Sequence, residues 1–462
     1  MSDIAPAQAY GIINYINVFE QFLKAGKITE ALVAATRGIK VFPNETKLQI
    51  CAARGYMAAR EYGQALNFLH KVGIFDPKNV ELFLLVAECY AVLDDVPKAE
   101  LYYKRVLKLE PDNITALSAV EPIIREQGRY AEVRDMLNHI ETAYPAIVDS
   151  TITSRACLDL LDGDLETGFA GYEHRFAGFT VLRNAYGTPI LPRWTGESLD
   201  GKSIIIRKEQ GLGDSIQFVR YAATLKELGA IRVGVECKPT LVRLFSHYSI
   251  VDEVVTEITP AMDYDFEVML MSTPHLCKTP LKTIPQAPYL TVAEADAQAW
   301  ATRLAPFTKR RVGLVWAGDP KKGKWYTERM NERRSIPLEM FLPLLEADCD
   351  FFSLQFGERR ADLKQFDTKI HDFMGEVKDY YDTACIVKNL SIVIAVDTSC
   401  AHLVGALGKP IWMLNRLEGD WRWMTERYDS PWYPTMTIYR QNEFRNWKPA
   451  IEEVKQYLLA LG

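Results

Sequence analysis

The chain has 462 residues, 48% hydrophobic and 25% charged, and Lys+Arg 54 against Asp+Glu 60 leave a net charge of −6. That is the make-up of a globular protein of about three domains, and it excludes a mainly disordered, collagen-like or disulfide-scaffold chain. No basic excess marks a nucleic-acid binder, no apolar run approaches the ~18–20 residues of a membrane-spanning helix, and MSDIAPAQAY lacks the basic start and apolar core of a secretory leader.

The first third is repetitive. Pro43, Pro77, Pro111 and Pro145 are spaced by 34 residues, which defines windows 12–45, 46–79, 80–113 and 114–147. Position 20 of each window is small or apolar (Ala31, Ala65, Ala99, Val133), while position 11 holds Phe22, Tyr56, Tyr90 and Ile124. Position 24 holds Ala35, Leu69, Tyr103 and Leu137. The pattern predicts a helical hairpin in each window: the small residue lets two helices approach, the bulky ones fill the space between them, and proline stops the second helix. Such hairpins bury their apolar faces only by stacking into a superhelix with a concave groove. The stretch looks like a tetratricopeptide array of four repeats, whose usual partners are peptides or proteins. Glu121-Pro122 inside the fourth unit predicts a kink or an irregular start there. A helix, a turn at Asp162-Gly163-Asp164 and a second helix form a capping partial repeat over 148–180, so the solenoid spans 1–183.

Beyond about residue 185 a Pro- and Gly-rich linker leads into apolar runs alternating with helical patterns. The strands expected are Ser203–Arg207, Arg232–Glu236, Phe266–Met271, Arg311–Trp316, Phe351–Gln355, Ile392–Val396 and Pro410–Leu414, with helices over Ser215–Leu228 and Ala450–Leu461. Short β-rich runs separated by helices imply parallel sheets with crossover connections. The stretch Ala287–Lys309 separates two sets, so the expectation is one Rossmann-like half over 184–300 and a second over 301–462, with a cleft between them. The fold class expected is therefore an N-terminal α-solenoid followed by α/β.

Ligands of open parallel sheets sit beyond the carboxyl ends of the strands, and three segments there carry chemistry. After Ser203–Arg207 comes Gly211-Leu-Gly213-Asp214-Ser215-Ile216-Gln217-Phe218, a tight turn that opens a helix and lets a ligand approach the backbone. After Ile392–Val396 comes Asp397-Thr398-Ser399-Cys400-Ala401-His402, where free N–H groups and hydroxyls at a helix start suit a phosphate. His402 lies four residues after Thr398 and can reach the same anion. After Arg311–Trp316 come Gly318 and a cationic loop with Lys322, Lys324, Arg333 and Arg334, alternative contacts for a departing phosphate. Gln355 ends its own strand on the donor side. Asp263-Tyr-Asp265 is an isolated match to a metal-binding DxD, and the cysteines at 51, 89, 157, 237, 277, 349, 385 and 400 contain no CxxC pair, so no metal site or disulfide framework is expected and the setting is a reduced, cytoplasmic one. Trp421, Trp423, Trp432 and Tyr433 pack as core or stack on a sugar or base.

From about residue 187 to 460 the chain resembles the heptosyltransferase-like glycosyltransferases, on GLGDSIQF (211–218), VGLVWAG (312–318), RRSIPL (333–338) and DTSCAHLVGALGKP (397–410). EQGLGDSIQFVRY and DWRWMTERYDSPWYPT resemble a subset of that group carrying N-terminal tetratricopeptide repeats, including bacterial flagellin glycosyltransferases. The resemblance implies a GT-B fold of two Rossmann-like domains, a nucleotide-sugar donor held largely by the second half, no obligatory metal, and inverting transfer with Asp214 as general base. Donor contacts would come from Asp397, Thr398, Ser399, His402, Lys322, Lys324, Arg333, Arg334, Gly318 and Gln355, and the acceptor side of the cleft from Gly211, Gly213 and Gln217. The expected function is transfer to a Ser or Thr hydroxyl of a protein gripped by the repeats. The alternatives are transfer to a lipid-linked or surface polysaccharide, and a non-catalytic scaffold with a decayed transferase half.

Overall fold

The computed structural model describes residues 6–145, 148–178, 188–319, 325–366 and 369–461. It divides into two compact units, Met1–Pro145 and Ala146–Gly462. Lys322 and Lys324 fall outside the described residues.

The first unit is a row of helical hairpins: α1 (Pro6–Lys24), α2 (Ile28–Val41), α3 (Thr46–Ala58), α4 (Tyr62–Phe75), α5 (Val80–Val92), α6 (Val96–Leu109), α7 (Ile114–Arg125) and α8 (Tyr130–Ala143). The second helix of every hairpin ends two residues before its repeat proline, at Val41, Phe75, Leu109 and Ala143, because proline also disfavours helical geometry in the residue before it. Ala31, Ala65, Ala99 and Val133 are wholly buried, as close helix approach requires. Several first helices start on side-chain caps: Asn79 accepts from Leu82 N–H at 2.8 Å and Asn113 from Ala116 N–H at 3.0 Å. The irregular start expected for this unit is not found. Helix α7 begins regularly on its Asn113 cap, and Pro122 lies in its last turn, close to where the helix ends anyway.

The second unit opens with α9 (Val148–Asp162), α10 (Leu165–Tyr172) and the short α11 (Arg175–Gly178), the segment expected as a capping repeat. These helices are part of the α/β body. Phe169 meets Phe218, Trp421 and Trp432 edge-on at 5.5–6.5 Å. The Arg175 guanidinium, fully buried, donates to both oxygens of Glu209 at 2.7 and 2.9 Å. Glu209 lies two residues beyond the first strand of the sheet.

Among the described residues the first sheet holds β1 (Ser203–Arg207), β2 (Arg232–Glu236), β3 (Glu253–Val255) and β4 (Phe266–Met269) in the order β3-β2-β1-β4. The second holds β5 (Arg310–Val315), β6 (Cys349–Ser353), β7 (Ile370–Asp372), β8 (Ile392–Val396), β9 (Ile411–Asn415) and β10 (Met436–Arg440), in the order β10-β9-β8-β5-β6-β7. Adjacent strands are parallel throughout. Numbered from its own first strand, the second sheet reads 3-2-1-4-5-6 from β7 to β10, the doubly wound order whose direction reverses between β5 and β8. The first sheet reverses likewise between β1 and β4. Two Rossmann-like α/β halves in one unit are the GT-B-like arrangement expected.

Several details differ from the expectation. The helix expected over 215–228 is two, α12 (Leu212–Phe218) and α13 (Tyr221–Glu227), and β4 stops at Met269. The short strands β3 and β7 and the strand β10 carry too little apolar signal to be read, because edge strands are buried less completely than the middle of a sheet. Around β5 and β8, Val312, Leu314, Ile394 and Val396 are wholly buried.

Candidate active site

The carboxyl ends of β1, β5 and β8 converge on one cavity of about 400 Å³, lined by Gly211, Gly213, Asp214, Gly318, Arg334, Asp397, Thr398, Ser399 and His402 among others. A second cavity of about 260 Å³ shares Gly318, Thr398 and Ser399 and runs past Gln355, Phe356 and Tyr380 at the end of β6. Each half contributes a helix start. Helix α12 begins at Leu212 after β1, and the helix Ser399–Ala406 begins after β8. They meet closely: a Cβ added at Gly213 would lie 2.8 Å from His402 Cδ2 and 3.5 Å from Ser399 Cα. Glycine at 213 is thus the residue that lets the two helix N-termini share a pocket.

On the first half, Asp214 Oδ2 accepts from Gly211 N–H at 2.7 Å, while its Oδ1 accepts from Arg422 at 2.5 Å. The loop before it is held from behind. Gln210 has φ +62, an unusual conformation for a side-chain-bearing residue, and its Nε2 donates to Tyr172 Oη at 2.8 Å. Gln217 is wholly buried and accepts from Arg422 Nε at 2.6 Å, so it stands behind the pocket wall.

On the second half, the hydroxyl of Thr398 is buried without a hydrogen-bond partner. Ser399 Oγ is paired with Tyr380 Oη at 2.5 Å. Thr398 is the N-cap of that helix, and a helix leaves its first N–H groups largely without intrahelical carbonyl partners. His402 Nδ1 is paired with Tyr433 Oη at 2.9 Å. Burial, followed by the nearby Arg422 cation, pushes the His402 imidazole down to about 3, so at neutral pH the ring is an uncharged hydrogen-bonding group. Asp397 is pushed up by burial and by the neighbouring Asp420 carboxylate. At Asp420 burial acts in the same upward direction, and the Arg422 guanidinium overcomes it and holds that carboxyl below its ordinary value.

The cations separate. Arg334 lines the cavity, anchored by Nε and a terminal nitrogen on Asn331 Oδ1 at 3.1 and 2.9 Å, and it makes no ion pair among the described residues. Burial lowers its pKa. Gly318 leaves room for that anchor, since a Cβ there would lie 2.3 Å from Asn331 Oδ1 and 2.8 Å from Arg334 Nε. Arg333 points elsewhere, 5.0 Å above the Phe444 ring, and is not part of the cavity wall. Gln355 is turned inward: its Oε1 accepts from Trp316 and Ala317 N–H at 3.1 and 2.9 Å and its Nε2 donates to Ala317 O, which fixes the turn after β5. Asp265 serves the first sheet rather than any ion, accepting from Ser203 N–H and Oγ at 2.8 Å.

Six lining residues are not among the candidates read from the sequence: Gln210, Leu212, Lys238, Asp319, Asp420 and Arg422. The last two sit among Trp421 and Trp423, and the signal for them was a pair of charges inside an otherwise aromatic run. Trp421, Trp423, Trp432 and Tyr433 are all buried and pack as core. No group of three or more His, Cys, Asp or Glu side chains is placed to hold a metal ion among the described residues, and none of their helices is long and apolar enough to cross a membrane.

A tetratricopeptide-repeat family model matches residues 56–121. The chain is 27% identical over 327 residues to Protein FlbA of Caulobacter vibrioides, covering 65% of this chain and 53% of that protein, so it spans about half the length of that curated relative. Among solved structures, a glycosyl transferase of family 9 from Veillonella parvula aligns with 58% of this chain and 99% of its own, at 10% identity and a TM-score of 0.44. The second TPR domain of human RPAP3, in complex with an HSP70 peptide, aligns with 25% of this chain and 97% of its own, at 23% identity and a TM-score of 0.24.

Proposed function

We propose that the chain is a glycosyltransferase that moves a sugar from a nucleotide-sugar donor to a hydroxyl group, with inversion at the anomeric carbon. One observation carries the reading: a carboxylate at the start of one helix, Asp214, shares a cavity with an unpartnered hydroxyl at the start of another, Thr398, and with Arg334, a guanidinium at the end of the helix Trp325–Arg334 that makes no ion pair among the described residues. That is a base on one wall and an anion site on the other.

In this mechanism the donor phosphate lies against the N-terminus of the Ser399–Ala406 helix, with Thr398 Oγ1 donating to it and Arg334 neutralising its charge. Lys238, which follows β2 in the first half, also lines the cavity, and the nucleoside extends into the second cavity past Phe356 and Tyr380. The acceptor hydroxyl approaches from the Asp214 side. Its oxygen bonds to the anomeric carbon as the bond from that carbon to the phosphate oxygen breaks. Asp214 takes the hydroxyl proton, and the electron pair leaves on the phosphate. Attack and departure on opposite faces produce inversion. Arg334 and the helix N-terminus meet the charge of the leaving group, so no divalent cation is invoked. The acceptor is a Ser or Thr hydroxyl of a protein, flagellin being one candidate, recruited by the repeats of the first unit.

The test is a thermal-shift panel of UDP, GDP, CDP, CMP, ADP and dTDP, since a ligand that binds only the native state raises its melting temperature. One nucleotide should stand out. With the matching sugar nucleotide, Asp214→Asn should abolish nucleotide release yet keep the thermal shift. Equal melting temperatures with all six at millimolar concentration, or a Asp214→Asn variant as active as the wild type, would refute the reading.

A further inference from the structure

One guanidinium spans the two halves of the cleft. Arg422 belongs to the segment after β9 in the second half, yet its Nε donates to Gln217 Oε1 at 2.6 Å and a terminal nitrogen to Asp214 Oδ1 at 2.5 Å, both on α12 of the first half. The other terminal nitrogen is held at home by Asp420 Oδ1 at 2.8 Å, and the guanidinium stacks 4.2 Å over the Trp421 ring. Asp214 and Gln217 are three residues apart and share a face of α12, so a planar fork can grip both at once. The second oxygen of Asp214 is tied to Gly211 N–H within its own half. The carboxylate plane is therefore set by two donors, one from each side of the cleft.

We propose that Arg422 is the positioning residue for Asp214, and that the carboxylate is aligned for proton abstraction only while this guanidinium holds it. This rests on Asp214 acting as the base. Without the guanidinium, Asp214 keeps only the Gly211 contact. A lysine cannot substitute, because a single ammonium on a flexible stem does not reproduce the fork that reaches Gln217, Asp214 and Asp420 together.

The experiment uses the full-length chain as wild type, Arg422→Lys, Arg422→Gln and Arg422→Ala. Nucleotide release is followed without added acceptor for UDP-, GDP-, CMP-, ADP- and dTDP-sugars. With the donor that wild type turns over, kcat should fall about 100-fold in all three variants, the penalty of a misplaced catalytic group. KM should stay within about twofold and the thermal shift by the free nucleotide should be unchanged. Added guanidinium ion should restore part of the lost kcat to Arg422→Ala and none to Asp214→Asn. A variant kcat close to wild type overturns the proposal, as does a raised KM at unchanged kcat, which would place Arg422 on the donor instead. If wild type releases nucleotide to water from none of the donors, kcat cannot be read, and the transferase reading fails only if no free nucleotide raises the melting temperature either. The clamp is then judged alone in the ligand-free chain, by amide hydrogen exchange over residues 209–218. Arg422→Gln should speed that exchange about tenfold or more, and Arg422→Lys, which keeps the buried charge, serves if the Gln variant does not fold. Unchanged exchange overturns the clamp.

Discussion

Replacing Arg175 with methionine should destabilise the second unit by about 4 kcal/mol. Both side chains of the Arg175–Glu209 pair are fully buried, and removing one partner of a buried ion pair costs roughly 3–5 kcal/mol because the other charge stays behind without water. Arg175 also donates to Tyr172 O at 3.1 Å and to Ser272 Oγ at 2.9 Å, which argues against the low end. Its second carboxylate partner, Glu173, is about one-third exposed and can rehydrate. The second unit spans 317 residues, 146 to 462 inclusive. At about 2 °C per kcal/mol for a body of that size, the melting temperature should drop by about 8 °C. Differential scanning calorimetry of the full chain is the assay, with any transition of the first unit as an internal control that should not move. The double variant Arg175→Met/Glu209→Leu should recover most of the loss, since an apolar pair of similar volume removes the stranded charge. A fall under about 2 °C for the single variant, or a double variant no better than the single, would refute the reasoning and with it the view that α9–α11 are built into the α/β body.

Two more predictions concern the cavity. Thr398→Val keeps the shape of the side chain and removes a hydroxyl that has no partner, so stability should stay within about 0.5 kcal/mol. Nucleotide affinity, measured by isothermal titration, should fall about 10-fold or more for the loss of one hydrogen bond to a charged ligand; unchanged affinity would take Thr398 out of the phosphate site. His402 sets a pH dependence. Its folded-state pKa is depressed from 6.5 to about 3, so its contribution to stability is fully present above pH 6.5 and is lost as pH falls from 6.5 toward 3. The slope is about 1.4 kcal/mol per pH unit. Unfolding free energies measured between pH 7 and 5 should show this slope in the wild type and a shallower one in His402→Asn; equal slopes would show that the ring titrates at its ordinary pKa in the folded protein.

The sequence determined the local elements. A 34-residue proline period set where each second helix of the solenoid stops, and small residues at one register position let each pair of helices pack, because both effects are local or one turn away. The buried central strands were readable for the same reason, as continuous apolar runs, and the glycine turn and the hydroxyl-bearing helix start that follow them line one cavity at the strand ends, where the sequence put them. What the sequence left open depends on distances between residues far apart in the chain. Arg333 and Arg334 are adjacent and of one residue type, yet only Arg334 faces the cavity, because helical neighbours point about 100° apart and the fold decides which faces inward. Asp420 and Arg422 read as punctuation in an aromatic run, and only the packing of that run against α12 brings them to Asp214. The hairpin 148–178 has the period of a repeat, but the Arg175–Glu209 pair and the Phe169 contacts, spanning 34 to more than 250 residues of sequence, join it to the α/β body. Periodicity reports which face of an element is apolar; the partner for that face, and the charge that lands beside a carboxylate, are chosen by tertiary closure.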